Sequence, residues 1–144
     1  MIRDEGMKIL VGVDGSSREP KVLEEAIAIA KDRGAKLWLA RAMTVPLSVP
    51  TTLWTLQGDD LYRFLEEHGN RELEHTQESV PADLRGGFVT KLGQPADILV
   101  TLAKDIGVDL IVIGSHGYGG VDRLIGTTAA KVVNRAECSV MVVR

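Results

Sequence analysis

The sequence predicts an α/β protein with a doubly wound, five-stranded, mostly parallel sheet covered by helices on both faces. Three observations carry that expectation. Short apolar runs, the mark of strands buried on both faces, recur along the chain. Between most of them lie longer segments with apolar residues at the helical period. Strands that alternate with helices imply crossover connections and hence a parallel sheet.

The first strand spans residues 8–13, Lys-Ile-Leu-Val-Gly-Val, and ends at Asp14-Gly15-Ser16-Ser17. A helix follows. Ser16 and Glu19 have the spacing of a capping box, and Pro20 suits the first turn. Val22, Leu23, Ala26, Ile27 and Ala30 recur on one face, and Gly34 supplies the stop. Residues 36–43 form the second strand. Residues 44–58 carry Pro46 and Pro50, then Leu53, Trp54 and Leu56, with no period. This reads as an apolar loop, and loops of about 15 residues are often functional. A second helix runs from about Asp59 to Ser79 on a thin face of Leu61, Phe64, Leu65 and Leu73. Phe88 to Leu92 is a short third strand. Gly93-Gln94-Pro95 opens a third helix with a clean face (Ile98, Leu99, Leu102, Ala103, Ile106), closed by Gly107. Leu110 to Ile113 is the fourth strand. Next come the glycine-rich stretch Gly114 to Gly120, then Val121 to Ile125, then Gly126-Thr127-Thr128 and a fourth helix to about Ala136. Ser139 to Val143 is the last strand, and its apolar edge invites pairing.

The 144 residues suit one domain, residues 7–144, after a short polar tail of residues 1–6. Apolar residues at 44% and charged residues at 26% are ordinary for a globular chain, so the core needs no staple. Cys138 is the one cysteine. It excludes an internal disulfide and any Cys-pair zinc or redox motif, and it fits a reducing compartment. There is no signal-peptide pattern, and no apolar stretch approaches the ~20 residues of a membrane span. The expected location is the cytoplasm, away from membranes. A net charge of −3 gives no overall attraction to nucleic acid.

In open α/β sheets ligands bind beyond the carboxyl ends of the strands, where the strand order reverses. Two loops leave strand ends with unusual composition, Asp14 to Ser17 and Gly114 to Gly120. Glycines let backbone N–H groups surround an anion, and the helix start at Gly126-Thr127 is a further anion site. By itself this pattern leaves two readings: a phosphate cradle, or tight turns with Thr127 as an ordinary N-cap. Asp14 is likewise either a loop cap or a ligand contact.

Several segments in order resemble the universal stress protein family across residues 7–144. They are Ile9 to Ser16, Gly93 to Ile98, Asp109 to Gly120, Gly126 to Ala136 and Cys138 to Arg144. The resemblance implies a Rossmann-like fold of the adenine nucleotide alpha hydrolase-like kind. It also implies a homodimer paired through the last strand, and an adenine nucleotide site for ATP or AMP, with Mg2+ as a companion ion. Carried over residue by residue, Asp14 meets the adenosine end, backbone at Ala42 the adenine edge, and Gly114 the ribose. Gly117, Gly126 and Thr127 hold the phosphates. The implied role is a regulatory binding module in the stress response rather than an enzyme. One departure stands out. ATP-binding members place nine residues between the glycines that correspond to Gly117 and Gly126, and here there are eight. One residue fewer changes the reach by up to ~3.3–3.6 Å, or turns a helical stretch by roughly 100°. The shorter spacing resembles members that do not bind ATP. The alternative role is therefore a dimeric interaction protein of the same fold that binds no nucleotide.

Other residues carry plainer readings. Ser115 and His116 are adjacent but lie in no Gly-x-Ser-x-Gly elbow. His68 and His75 share a helix face without a third metal ligand. Arg123 is a solvated residue or a phosphate neighbour, with the first preferred. No P-loop signature is present. Cys138 reads as a small buried thiol. Trp54 can lid the site, cover the second strand or meet a partner.

Overall fold

A computed structural model describes residues 6–44, 58–115 and 126–144. Trp54 and most of the apolar loop, together with His116, Gly117 and Arg123, lie outside the described residues. Five strands form one sheet: β1 (Lys8–Gly12), β2 (Lys36–Met43), β3 (Arg85–Leu92), β4 (Leu110–Gly114) and β5 (Ser139–Val143). Their order is β3-β2-β1-β4-β5, and every neighbouring pair is parallel. Four helices make the crossovers: α1 (Glu19–Arg33), α2 (Gly58–Gln77), α3 (Pro95–Ile106) and α4 (Thr127–Arg135).

The sheet has a core on each face. Ile9 and Val11 of β1, Leu37 and Leu39 of β2 and Val112 of β4 pack under α1 and α2. Leu10, Ala40, Ile111 and Ile113 point the other way, under Ala96, Leu99 and Ala103 of α3 and Ala129 and Val132 of α4. Successive strand residues face opposite sides, so a strand buried on both faces must be apolar at every position. Gly34 and Gly107 end α1 and α3 in the left-handed conformation (φ 63° and 77°), and their N–H groups bond Ala30 and Ala103.

Three departures from the sequence reading bear on how the elements pack. First, Ser16 and Glu19 form no capping box. The N-cap of α1 is Arg18, and the Ser16 hydroxyl accepts the Arg18 N–H at 3.3 Å, two residues on. A serine in that geometry closes its own turn instead of reaching into the helix. Second, β3 begins at Arg85, three residues before Phe88. Gly86 is the extra residue where the register with Leu37 and Trp38 shifts. Two glycines in a row hide a strand, yet here they lie against the Trp38 ring: a Cβ on Gly86 would come within 2.5–2.7 Å of it. Third, Phe64 faces outward at 41% exposure and is not part of the α2 core face. That face is the stripe Leu65, Gly69 and Leu73, four residues apart.

Gly69 explains why the stripe looks thin. It lets α2 approach the sheet so closely that a Cβ there would lie 2.5 Å from Thr90 Cγ2 and 2.8 Å from Met43 Sδ. The next residue, Asn70, accepts the Thr90 N–H of edge strand β3 through its side-chain oxygen at 3.0 Å. Replacing an exposed helical glycine by alanine ordinarily stabilises by about 1 kcal/mol. Gly69→Ala is expected to do the reverse and destabilise by about 1–3 kcal/mol through overpacking. Urea unfolding checks this, and a raised midpoint would mean that α2 stands further from β3.

Candidate functional site

From β1 the chain moves to β2 and β3 on one side, with α1 and α2 on one face. It then returns across the sheet to β4 and β5, with α3 and α4 on the other. The order reverses between β1 and β4, so the loops leaving their carboxyl ends part and open a crevice. A cleft of about 270 Å³ lies there. Gly12, Ala40 and Ala42 line it from the sheet, and Pro95 and Leu99 from α3. Asp14, Gly114 and Ser115 line it from the strand ends, and Gly126 to Ala129 from the start of α4.

Five of the six positions expected from sequence, Asp14, Ala42, Gly114, Gly126 and Thr127, therefore border one cleft. The sixth, Gly117, is outside the described residues. The cleft has an apolar side of Val13, Leu99 and Ile113. Asp14 is the one charged side chain among the described residues that line it. Its Oδ1 accepts the Ser16 N–H at 2.9 Å, so the loop-cap reading of Asp14 holds. A carboxylate keeps further acceptor capacity beyond one such bond.

The first turn of α4 borders the cleft opposite Ala40 and Ala42. Its N-cap is Gly126, not Thr127, which is the first helical residue and exposed. The Gly126 carbonyl accepts the Ala130 N–H at 3.0 Å, and the Gly126 N–H donates to the Ser115 carbonyl at 2.7 Å. No side chain among the described residues caps this turn. The first N–H groups of a helix have no partner within it and carry the positive end of its dipole.

The sequence reading gave no role to two participants, passing over Arg18 and weighing Ser115 only as a neighbour of His116. Ser115 is 1% exposed, and its hydroxyl accepts a bond from Arg18 Nη1 at 2.8 Å. The two residues lie 97 positions apart, and no local pattern marks such a contact. Pro95 and Leu99 were legible as parts of a helix but not as one side of a cleft.

A second polar cluster lies near Asp14. Arg41 pairs with Glu72, and His68 Nε2 stands 3.0 Å from the same carboxylate. Glu19 sits close by, and burial pushes its carboxyl above the ordinary value. Asp14 adds to that rise, while a bond from the Gly15 backbone and the Arg41 charge oppose it.

A more voluminous depression, about 1070 Å³, opens at the amino ends of β1, β4 and β5 beside Lys8, Asp109 and Cys138. Strand order gives no reason for a ligand at that end of the sheet. Cys138 is half-buried where a buried thiol was expected, and desolvation raises its pKa, which disfavours the thiolate. Among the described residues no group of His, Cys, Asp and Glu could hold a metal ion, and no helix is long and apolar enough to cross a membrane.

Comparison with known proteins agrees with this architecture. The sequence model of the universal stress protein family matches residues 7–144. Universal stress protein A homolog 2 of Coxiella burnetii is 32% identical, over 98% of this chain and 97% of its own length. The structure of universal stress protein UspA from Lactobacillus plantarum superposes with a TM-score of 0.75 at 25% identity, covering 99% of this chain and all of that one. A universal stress protein solved in complex with cAMP superposes with a TM-score of 0.64 at 26% identity, covering 98% of each chain. The chain belongs to the universal stress protein family.

Proposed function

We propose that this protein binds an adenine nucleotide, AMP or ATP, in the cleft between β1 and β4, and works as a regulatory module of the stress response rather than as an enzyme. The observation that carries the reading is the meeting, in one cleft, of an apolar slot with a helix start that no described side chain caps. The slot suits a base and the helix start suits a phosphate. In this reading Asp14 contacts the adenosine end and Ala42 lies along the adenine edge. Gly114 packs by the ribose, and Gly117, Gly126 and Thr127 hold the phosphates. The family member solved with cAMP gives a precedent for an adenine nucleotide on this fold. Mg2+ would enter with the ATP phosphates, since that ion is usually held by one or two carboxylates plus phosphate rather than by a protein cage. The proposed setting is the cytoplasm, where a lone thiol stays reduced.

The proposed assembly is a homodimer through β5. This strand pairs with β4 on one side, and Val140, Met141 and Val142 are only partly buried. An apolar edge of that kind is a template for a second copy. The eight residues between Gly117 and Gly126 favour a second reading, a dimeric interaction protein whose cleft takes no nucleotide.

A thermal-shift titration with ATP, AMP and GTP, with and without magnesium, separates the two. A saturable rise with adenine nucleotides and none with GTP is expected, about 2.7 kcal/mol of stabilisation at roughly 100 times the Kd. The absence of any shift at millimolar nucleotide would favour the second reading. Ala42→Leu, which puts a larger side chain into the cleft, is expected to abolish the shift while the free protein still melts cooperatively. An undiminished shift would move the base elsewhere. Sedimentation at micromolar concentration should show a dimer, and a monomer would remove β5 as the interface.

A further inference from the structure

We infer that Arg18 and Ser115 are positioning residues that fix the distance between the two ends of the nucleotide site, an inference that rests on the nucleotide reading above. Four hydrogen bonds in series join Asp14 to the start of α4. Asp14 Oδ1 accepts the Ser16 N–H at 2.9 Å, and the Ser16 hydroxyl accepts the Arg18 N–H at 3.3 Å. The Arg18 guanidinium donates to the Ser115 hydroxyl at 2.8 Å, and the Ser115 carbonyl accepts the Gly126 N–H at 2.7 Å. The first member would touch the nucleoside and the last would touch the phosphate. The two loops belong to different strands, and this series joins them.

Ser115 is the joint. It is buried to 1% exposure and borders the cleft. Its N–H also donates to the Val143 carbonyl at 2.8 Å, which anchors it to the end of β5. Its backbone thus has fixed partners on two sides, and the guanidinium of Arg18 adds a third from the β1 side. A hydrogen bond from a charged donor is stronger than a neutral one. Loss of that bond leaves each half of the site intact but loosens their separation. Misplacement of a group by a fraction of an ångström weakens only a ligand that must reach both halves.

Calorimetric titration of the wild type, Ser115→Ala and Arg18→Met with adenosine and with AMP tests this. The wild type is expected to bind AMP more tightly than adenosine, because only AMP reaches α4. Each variant is expected to reduce that AMP-to-adenosine preference by about tenfold, the size of one charge-assisted hydrogen bond. A general loss of stability would weaken both ligands alike and leave the preference unchanged. An unaltered preference in both variants overturns the inference and leaves the nucleotide reading intact. A reduced preference in Arg18→Met alone assigns the effect to the cation's charge and also overturns it. A wild type that binds neither ligand overturns both readings. Should Ser115→Ala fail to fold, Arg18→Lys replaces it. It keeps the charge but on a shorter side chain that withdraws the donor from Ser115, so a wild-type preference there is the overturning result.

Discussion

Parallel pairing of β1 with β2 on one side and β4 on the other is the constraint from which the rest follows. Ile9, Leu10 and Val11 have no exposed surface. Their hydrogen-bonding edges are both occupied and both their faces are covered. Parallel neighbours cannot be joined by a tight turn, so each connection must cross over, and the crossovers are helices. Right-handed crossovers that run outward from β1 to β3, then back across the sheet to β4 and on to β5, put α1 and α2 on one face and α3 and α4 on the other. The point of departure is then the one place where neighbouring loops diverge. The cleft is a topological consequence before any side chain is chosen.

Side chains then decide how deep the cleft is. On the face toward α3 and α4, β2 presents Trp38, Ala40 and Ala42 in succession, and β1 presents Leu10 and Gly12. Size falls toward the carboxyl ends. At the amino end the Trp38 ring lies against Gly86 and Gly87, with the Lys8 ammonium 5.8 Å from its centre. At the other end, a Cβ on Gly12 would already stand 2.9 Å from Ile113 Cγ2. Large residues there would close the gap between the sheet and Leu99. A core tapered in this way is densely packed at the amino ends of the strands and open at the cleft.

Much of this was legible because burial on two faces is a demanding condition. Ile-Leu-Val and Leu-Ile-Val-Ile runs have few other uses, and Gly34 and Gly107 mark their helix ends through a conformation other residues avoid. The reading failed where one residue type serves two purposes. Ser16 has the spacing of a cap but closes a local turn. Gly86 and Gly87 look like a break, yet they are strand residues that make room for Trp38. Asp14, Gly114, Gly126 and Thr127 lie at strand ends or at a helix start, which the alternation marks, whereas Ala42 was reached only through the family resemblance; the cleft is bordered by all five. The pairing of Arg18 with Ser115 was not legible, because it is a bond between distant parts of the chain.

That bond bears on the shortened glycine spacing. Counted along the sequence, one residue fewer between Gly117 and Gly126 threatens to pull Thr127 away from a phosphate. In space, however, the start of α4 has partners outside the glycine stretch. Gly126 is bonded directly to Ser115, and Ser115 to Val143. Ala129 and Val132 hold the helix in the core, and Arg135 reaches Asp97 of α3 at 2.6 Å. Ser115 and Gly126, the residues on either side of positions 116–125, are thus held by partners outside that segment. A rule that counts residues assumes that the chain transmits position along itself. Here the start of α4 is positioned across the sheet, by Ser115, Val143 and the α3 contact, and a residue count alone does not decide where Thr127 stands.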